Sequence, residues 1–241
     1  MHGSTTEHIL ERLLEDNEQL ARHNRDHFDK LGVLAVNFMS APGAGKTTLI
    51  GATVNALRDR YRSAVIEGDM AGDIDTRKLI DQGISAFQIT TGRSCHLDAQ
   101  MIAQFLHRTK LLPADLLLIE NVGNLVCPAE FPLGEHKRVV LLSVAEGDDK
   151  PLKYPVIFHN CDAVILTKSD LLPYLDFKPY KVRERIKDLN PRTQVFVLSV
   201  VSGRGLPLWI EWLIGELNNH QKKVADAGNE GNDGHSYLGA V

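Results

Sequence analysis

The stretch SAPGAGKTT, residues 40–48, constrains the fold more than any other part of the chain, because it joins an apolar run, VLAVNFM, to a segment patterned as a helix. A glycine-rich turn between a buried strand and a helix N-terminus is the setting in which a Walker A motif binds phosphate. Backbone amides from Gly43, Ala44, Gly45, Lys46 and Thr47 would point inward around phosphate oxygens, with Thr48 completing the motif. Lys46 would neutralise the β and γ phosphates, and the Thr47 hydroxyl would ligate magnesium. The consensus has glycine at position 40, where this chain has serine.

A strand feeding such a loop belongs to a parallel sheet. Seven runs read as strands: VLAVNFM, SAVIEG, AFQIT, DLLLIE, RVVLLSV, CDAVILT and TQVFVLS, separated by helical stretches. Near-continuous apolar strands alternating with helices require a mostly parallel sheet covered on both faces, so the expected class is α/β, doubly wound, with about seven strands. Three regions follow. Residues 1–32 form an N-terminal helix, with a capping box from Ser4 to Glu7 and Ile9, Leu10, Leu13, Leu14 and Leu20 at helical spacing. This mostly polar helix is expected to lie across the main domain or a partner. Residues 33–220 form the phosphate-binding domain, and the glycine-, asparagine- and aspartate-rich 221–241 are expected to be a disordered tail.

With 241 residues, 43% of them hydrophobic, the chain can bury a full core in one domain. A net charge of −4 gives no global reason to bind nucleic acid or an anionic membrane. No apolar segment approaches the roughly 20 residues that span a bilayer, and the expected location is cytoplasmic. Three cysteines, an odd number, argue against a secreted disulfide framework and leave metal, catalytic or core roles.

Acids at strand ends complete the expected magnesium environment: Asp69 after VIEG, Glu120 after DLLLI in the place of a Walker B acid, and Asp75 as a third candidate. With Lys46 these form the candidate catalytic set, although a strand-end carboxylate is equally often a helix cap. For the base, TKSD places Lys168 and Asp170 just past a buried strand, resembling the NKxD element of GTPases with Thr167 where asparagine is usual. A carboxylate at Asp170 accepts from both N1 and the 2-amino group of guanine, a donor pair adenine lacks, so GTP is expected and ATP is not. Ser199 and neighbouring amides follow the last strand, where GTPases contact the guanine carbonyl.

Cys95 and His96 precede an amphipathic helix, and Cys127 precedes Pro128 in a polar loop. Sulfur and imidazole nitrogen are the donors favoured by zinc and nickel, and three such ligands need a water or a second protomer to complete four-coordination. Cys161 introduces a core strand and reads as structural. Glu120 to Gly123 resembles the switch II segment, whose glycine amide contacts the γ phosphate in GTPases. Cys127 is only four positions past Gly123, so nucleotide state and thiol position are expected to be coupled.

With GAGKTT, TGRSCHLDA, ENVGNLVCPAEFPLGEHKRVVLLSVAEGDDKPLKYP and TKSD in this order over residues 5–220, the sequence resembles the HypB family, nickel-incorporation GTPases of nickel–iron hydrogenase maturation. The resemblance implies a P-loop NTPase fold of the SIMIBI type, GTP hydrolysis timing nickel delivery to the hydrogenase large-subunit precursor, and a nucleotide-linked homodimer. It also implies a HypA-type metallochaperone partner, and nickel or zinc at Cys95, His96 and Cys127. Some members carry an N-terminal cysteine motif or histidine-rich tract. Here the N-terminal segment holds only scattered histidines such as His8, His23 and His27, and the Cys/His site is expected to carry the metal function. Related urease chaperones have a histidine after the Cys-Pro pair; Ala129 stands there instead, favouring the hydrogenase branch over a urease-type chaperone. The competing class is an ATP-dependent small-molecule kinase, against which TKSD speaks.

Overall fold

The computed structural model describes residues 3–109 and 113–230. The elements, in order, are α1 (Gly3–Leu31), β1 (Leu34–Ser40), α2 (Lys46–Leu57), β2 (Ser63–Asp69), α3 (Ile74–Asp81), β3 (Ser85–Thr90), α4 (Ala99–Arg108) and β4 (Leu116–Glu120). They continue through α5 (Cys127–Glu130), β5 (Lys137–Ser143), α6 (Lys150–Lys153), α7 (Pro155–His159), β6 (Ala163–Thr167), α8 (Pro179–Leu189), β7 (Gln194–Val197) and α9 (Leu206–Glu230). All seven expected strands form, in a single parallel sheet of order β3-β2-β4-β1-β5-β6-β7.

The apolar strands explain the layering. Every residue of β1, β4 and β6 is buried, which requires cover on both faces. On one face Leu49, Ile50 and Val54 of α2 and Trp209, Leu213 and Leu217 of α9 pack on Val36, Phe38, Leu118 and Leu141. The Trp209 indole N–H donates to the Thr53 hydroxyl at 3.0 Å, so the largest buried side chain leaves no polar atom unpaired. On the other face α7 and α8 cover β5 and β6, while Phe28 of α1 and Ile102 of α4 cover β1, β2 and β4. Because all strands run the same way, the ends of β1, β2, β4, β5 and β6 share the carboxyl edge of the sheet, the edge where open α/β sheets bind ligands.

Two expectations about the helices need correction. First, α9 continues to Glu230, so residues 221–230 are helical rather than a disordered tail; residues 231–241 lie outside the described residues. On these last turns Lys223, Val224 and Ala227 line a hollow shared with Arg25 and Asp29 of α1. Second, the apolar positions at the start of α1 do not face the domain, since Ile9, Leu10 and Leu13 are exposed. The stripe that docks α1 is instead Asn17, Ala21, Asn24 and Phe28, a helical spacing with asparagine at two of its positions. The side chains of the expected Ser4 to Glu7 capping box lie outside those described.

The far end of α1 is tied to β5 through His136. Its Nδ1 accepts the Ala35 N–H at 3.0 Å and its Nε2 donates to Asp29 Oδ1 at 2.8 Å. Burial lowers the His136 pKa from 6.5 to about 4, against the pull of Asp29. The folded protein therefore keeps this imidazole neutral while the unfolded chain takes up a proton near 6.5. Stability present above pH 6.5 is lost as pH falls towards 4, by about 3 kcal/mol for this group. Melting curves should fall steeply between pH 6.5 and 4.5, and the slope over that window should flatten in His136→Gln. An equal slope in the variant would contradict this account.

Candidate functional site

The phosphate loop is built as its sequence requires. Gly43 and Gly45 have φ of 75° and 99°, a region closed to most side chains, and Gly45 leads directly into α2. Lys46 is buried, and its Nζ donates to Ser40 Oγ at 3.1 Å. The serine that replaces the consensus glycine thus gives the lysine an acceptor within the loop. Burial holds the Lys46 ammonium below the usual lysine range, opposed by Glu120, Asp75, Glu67 and Glu146.

Thr47 and Glu120 are brought together: the Thr47 hydroxyl donates to Glu120 Oε1 at 2.9 Å, and Glu120 Oε2 is buried with no partner. Burial pushes the Glu120 carboxyl up to about 7, against Lys46 and the Thr47 hydroxyl. An oxygen pair of this kind, with one buried carboxylate oxygen unpaired, suits the hard, oxygen-seeking magnesium ion. Asp69 is placed differently. Its carboxylate accepts from the Ala71 N–H at 3.4 Å within its own turn. Asp75 stands in the first turn of α3, paired with Lys78 at 2.7 Å, close enough to act on both Lys46 and Glu120 through its charge.

Two acids of this site were not anticipated. Glu67 lies beside Glu120 in the parallel register and is likewise buried. It accepts from the Thr76 hydroxyl at 3.0 Å, and burial raises it to about 7. Glu146, after β5, accepts the Ser143 N–H at 3.0 Å through Oε1 and leaves Oε2 buried and unpaired. The available signal was an acid interrupting an apolar strand in VIEG, which is costly unless something at the site uses it.

A cavity of about 210 Å³ adjoins the loop, lined among others by Gly45, Thr48, Lys168, Asp170, Ser199 and Val200. Lys168 adopts φ of 57° and its Nζ donates to the Gly43 carbonyl at 2.7 Å. The Thr167 hydroxyl donates to the Ala44 carbonyl at 2.7 Å, so threonine in the asparagine position still ties this segment to the phosphate loop. The Ser199 amide is committed to the Arg204 carbonyl at 2.9 Å, and Val200 and Val201 line the same wall. A larger hollow, about 710 Å³, opens between α1 and α9 and includes Leu34 and Lys137, residues at the opposite ends of β1 and β5. It contains none of the phosphate-loop residues.

The three metal-type donors also converge. Cys95 Sγ lies 3.0 Å from Cys127 Sγ and 3.8 Å from His96 Nδ1, and one ligand atom from each residue falls within 4.8 Å of the others. All three residues are half-buried. The His96 ring packs on Phe131 with centroids 4.3 Å apart, and burial lowers its pKa against the pull of Asp98. The contact with Cys95, and then burial, push the Cys127 thiol up. Cys161 stands apart as a core residue, with its thiol donating to the Phe158 carbonyl at 3.2 Å and burial raising it to about 12.

The phosphate-loop region and the Cys/His cluster meet at two points. A Cβ on Gly123 would lie 2.9 Å from Pro42 Cγ and 3.0 Å from Pro42 Cα and N, so only glycine lets this segment rest on the phosphate loop. The second point is Asn121, next to Glu120. Its Oδ1 accepts from both Val122 N (3.0 Å) and Leu97 N (2.9 Å), the latter adjoining His96.

A family model described as the CobW/HypB/UreG nucleotide-binding domain matches residues 34–197. Hydrogenase maturation factor HypB of Rhizobium leguminosarum bv. viciae is 45% identical over 214 residues, covering 88% of this chain and 72% of the relative. The crystal structure of HypB from Helicobacter pylori in complex with nickel aligns with a TM-score of 0.80 at 38% identity, over 86% of this chain and 97% of that one. The hydrogenase maturation factor HypB from Archaeoglobus fulgidus aligns with a TM-score of 0.78 at 39% identity, over 84% and 99%. No helix among the described residues is long and apolar enough to cross a membrane.

Proposed function

Because the chain belongs to the HypB family of CobW/HypB/UreG nucleotide-binding proteins, we propose that it is a slow GTPase that times nickel delivery during nickel–iron hydrogenase maturation. In this reading Asp170 selects guanine, and Lys46 leaves Ser40 to meet the β and γ phosphates. Thr47 and Glu120 would hold magnesium, which when bound neutralises charge across those phosphates. The Gly123 amide would meet the γ phosphate, and Asp69 and Asp75 remain candidates for placing the attacking water. Nickel is the cargo, or zinc in its place, held by Cys95, His96 and Cys127. Three donors leave a four-coordinate ion one short, so a homodimer that shares the site would complete it. A HypA-type chaperone and the hydrogenase large-subunit precursor are the partners this role requires.

The observation that carries the proposal is the double acceptance by Asn121 Oδ1, which joins the segment next to Glu120 to the backbone next to His96. A shift of that segment on γ-phosphate binding is then felt by the ligand loop as well as by Cys127. The test is titration with Ni(II) and with Zn(II) in the presence of GDP or a non-hydrolysable GTP analogue, following thiolate-to-metal absorbance and molecular mass together. Metal affinity should differ between the nucleotide forms by about fivefold or more, within the usual range of coupling free energies. Asn121→Ala should shrink that difference. Equal metal uptake in both forms would refute the coupling, and an ATP preference would return the chain to the kinase class.

A further inference from the structure

The metal donors sit on two segments far apart in sequence, one running from Cys95 to the start of α4 and the other from Cys127 to Gly134. A thiol pair 3.0 Å apart needs both segments held in place, and two of the side chains that bond to both lie on α1. Asn17 reaches both. Its Oδ1 accepts the Ala99 N–H at 2.9 Å and its Nδ2 donates to the Pro132 carbonyl at 2.8 Å. Asn24, about two helical turns on, repeats the bridge: its Nδ2 donates to the Ala99 carbonyl at 2.8 Å and to the Leu133 carbonyl at 2.9 Å. Ala99 is three residues past His96, while Pro132 and Leu133 are five and six past Cys127. Both asparagines are buried. The second segment lies flush on the helix, since a Cβ on Gly134 would come within 2.6 Å of the Ala21 carbonyl oxygen.

The chemistry of Asn24 argues that the bridge itself is what is needed there. Committing one amide nitrogen to two carbonyls leaves Asn24 Oδ1 buried and unpaired, a desolvation cost that a leucine docking the same helix would not incur. Flipping the amide would put oxygen against two carbonyl oxygens, so the orientation is fixed by the segments it joins.

We propose that Asn17 and Asn24 are positioning residues for the metal site, and that α1 is the clamp setting the distance between Cys95 with His96 and Cys127. The proposal rests on the reading of those three residues as metal ligands. It gives the bound ion a second mechanical support, independent of the nucleotide side.

The test uses the full chain and four variants, Asn24→Ala, Asn17→Asp, Cys95→Ser and Cys127→Ser, titrated with Ni(II) alone and followed by thiolate-to-metal absorbance. Melting of the metal-free protein and GDP affinity serve as controls. Asn24→Ala should weaken nickel binding about tenfold or more, as loss of groups that orient metal ligands does, while GDP affinity stays at the wild-type level. Asn17→Asp keeps an acceptor for the Ala99 N–H but sets an oxygen against the Pro132 carbonyl. It should therefore loosen only the Cys127 side and give the reduced absorbance of Cys127→Ser. Wild-type nickel affinity in folded, GDP-binding Asn24→Ala and Asn17→Asp, with Cys95→Ser defective, would overturn the clamp and leave the metal site standing. Undiminished nickel binding in Cys95→Ser would instead remove the metal reading itself. If Asn24→Ala does not fold, the milder Asn17→Asp decides: the spectrum of Cys127→Ser supports the clamp and an unchanged spectrum refutes it.

Discussion

Asp170→Asn should convert guanine preference into xanthine preference. The carboxylate in the 210 Å³ cavity is read as accepting from N1–H and from the 2-amino group, two charge-assisted hydrogen bonds. Such bonds contribute about 1.5–3 kcal/mol each, so losing both should weaken GDP and GTP binding on the order of 10²–10⁴-fold. An amide at 170 presents one acceptor and one donor, which suits N1–H and the 2-carbonyl oxygen of xanthine and sets its donor against the guanine amino group. Lys168 and Thr167 would keep the cavity floor in place in the variant, because both bond to main-chain carbonyls of the phosphate loop and not to Asp170. Competition among GDP, XDP and ADP on both proteins reads the outcome directly. Wild-type protein binding ADP as tightly as GDP, or Asp170→Asn with undiminished GDP affinity, would exclude this placement of the base.

What the sequence makes legible depends on whether a residue's meaning is local. The strands were readable because residues such as Val36, Leu118 and Ile165 sit in runs buried on both faces, a pattern carried by each segment alone. The motifs that hold Lys46, Thr47 and Asp170 are contiguous as well, so each can be picked out from one stretch of chain. Glu67 was not, because its significance comes from lying beside Glu120 on the neighbouring strand, and register is a property of two segments. Asn121, Asn17 and Asn24 were hidden likewise: each is an ordinary polar residue until its partners at Leu97, Ala99, Pro132 and Leu133 are in place. The α1 stripe was misread because Ile9, Leu10 and Leu13 have the right spacing for burial but extend past the surface the domain offers. The tail boundary at residue 221 falls too early because composition turns glycine-rich only after Ala227.

Gly123→Ala tests the other end of the coupling, and its effect should fall on turnover more than on binding. The added methyl would lie 2.9–3.0 Å from Pro42 atoms, two of them backbone or Cα, closer than real side chains tolerate. The sensor segment must therefore lift off the phosphate loop, carrying its amide away from where the γ phosphate would be. Losing one preorganised donor of this kind costs on the order of 10²–10³ in rate, so single-turnover GTP hydrolysis should fall by about that factor. GDP has no γ phosphate, and in the proposed reading its base contacts lie across the loop at Lys168 and Asp170, so GDP affinity should hold near wild type. The same lift pulls on Cys127, four residues on. Nickel affinity should consequently stop responding to whether GDP or the GTP analogue is bound, because the segment is held away from the phosphates in both. A variant that hydrolyses GTP at the wild-type rate and keeps the nucleotide-dependent difference in nickel affinity would show that contact between Gly123 and the phosphate loop plays no part in the cycle.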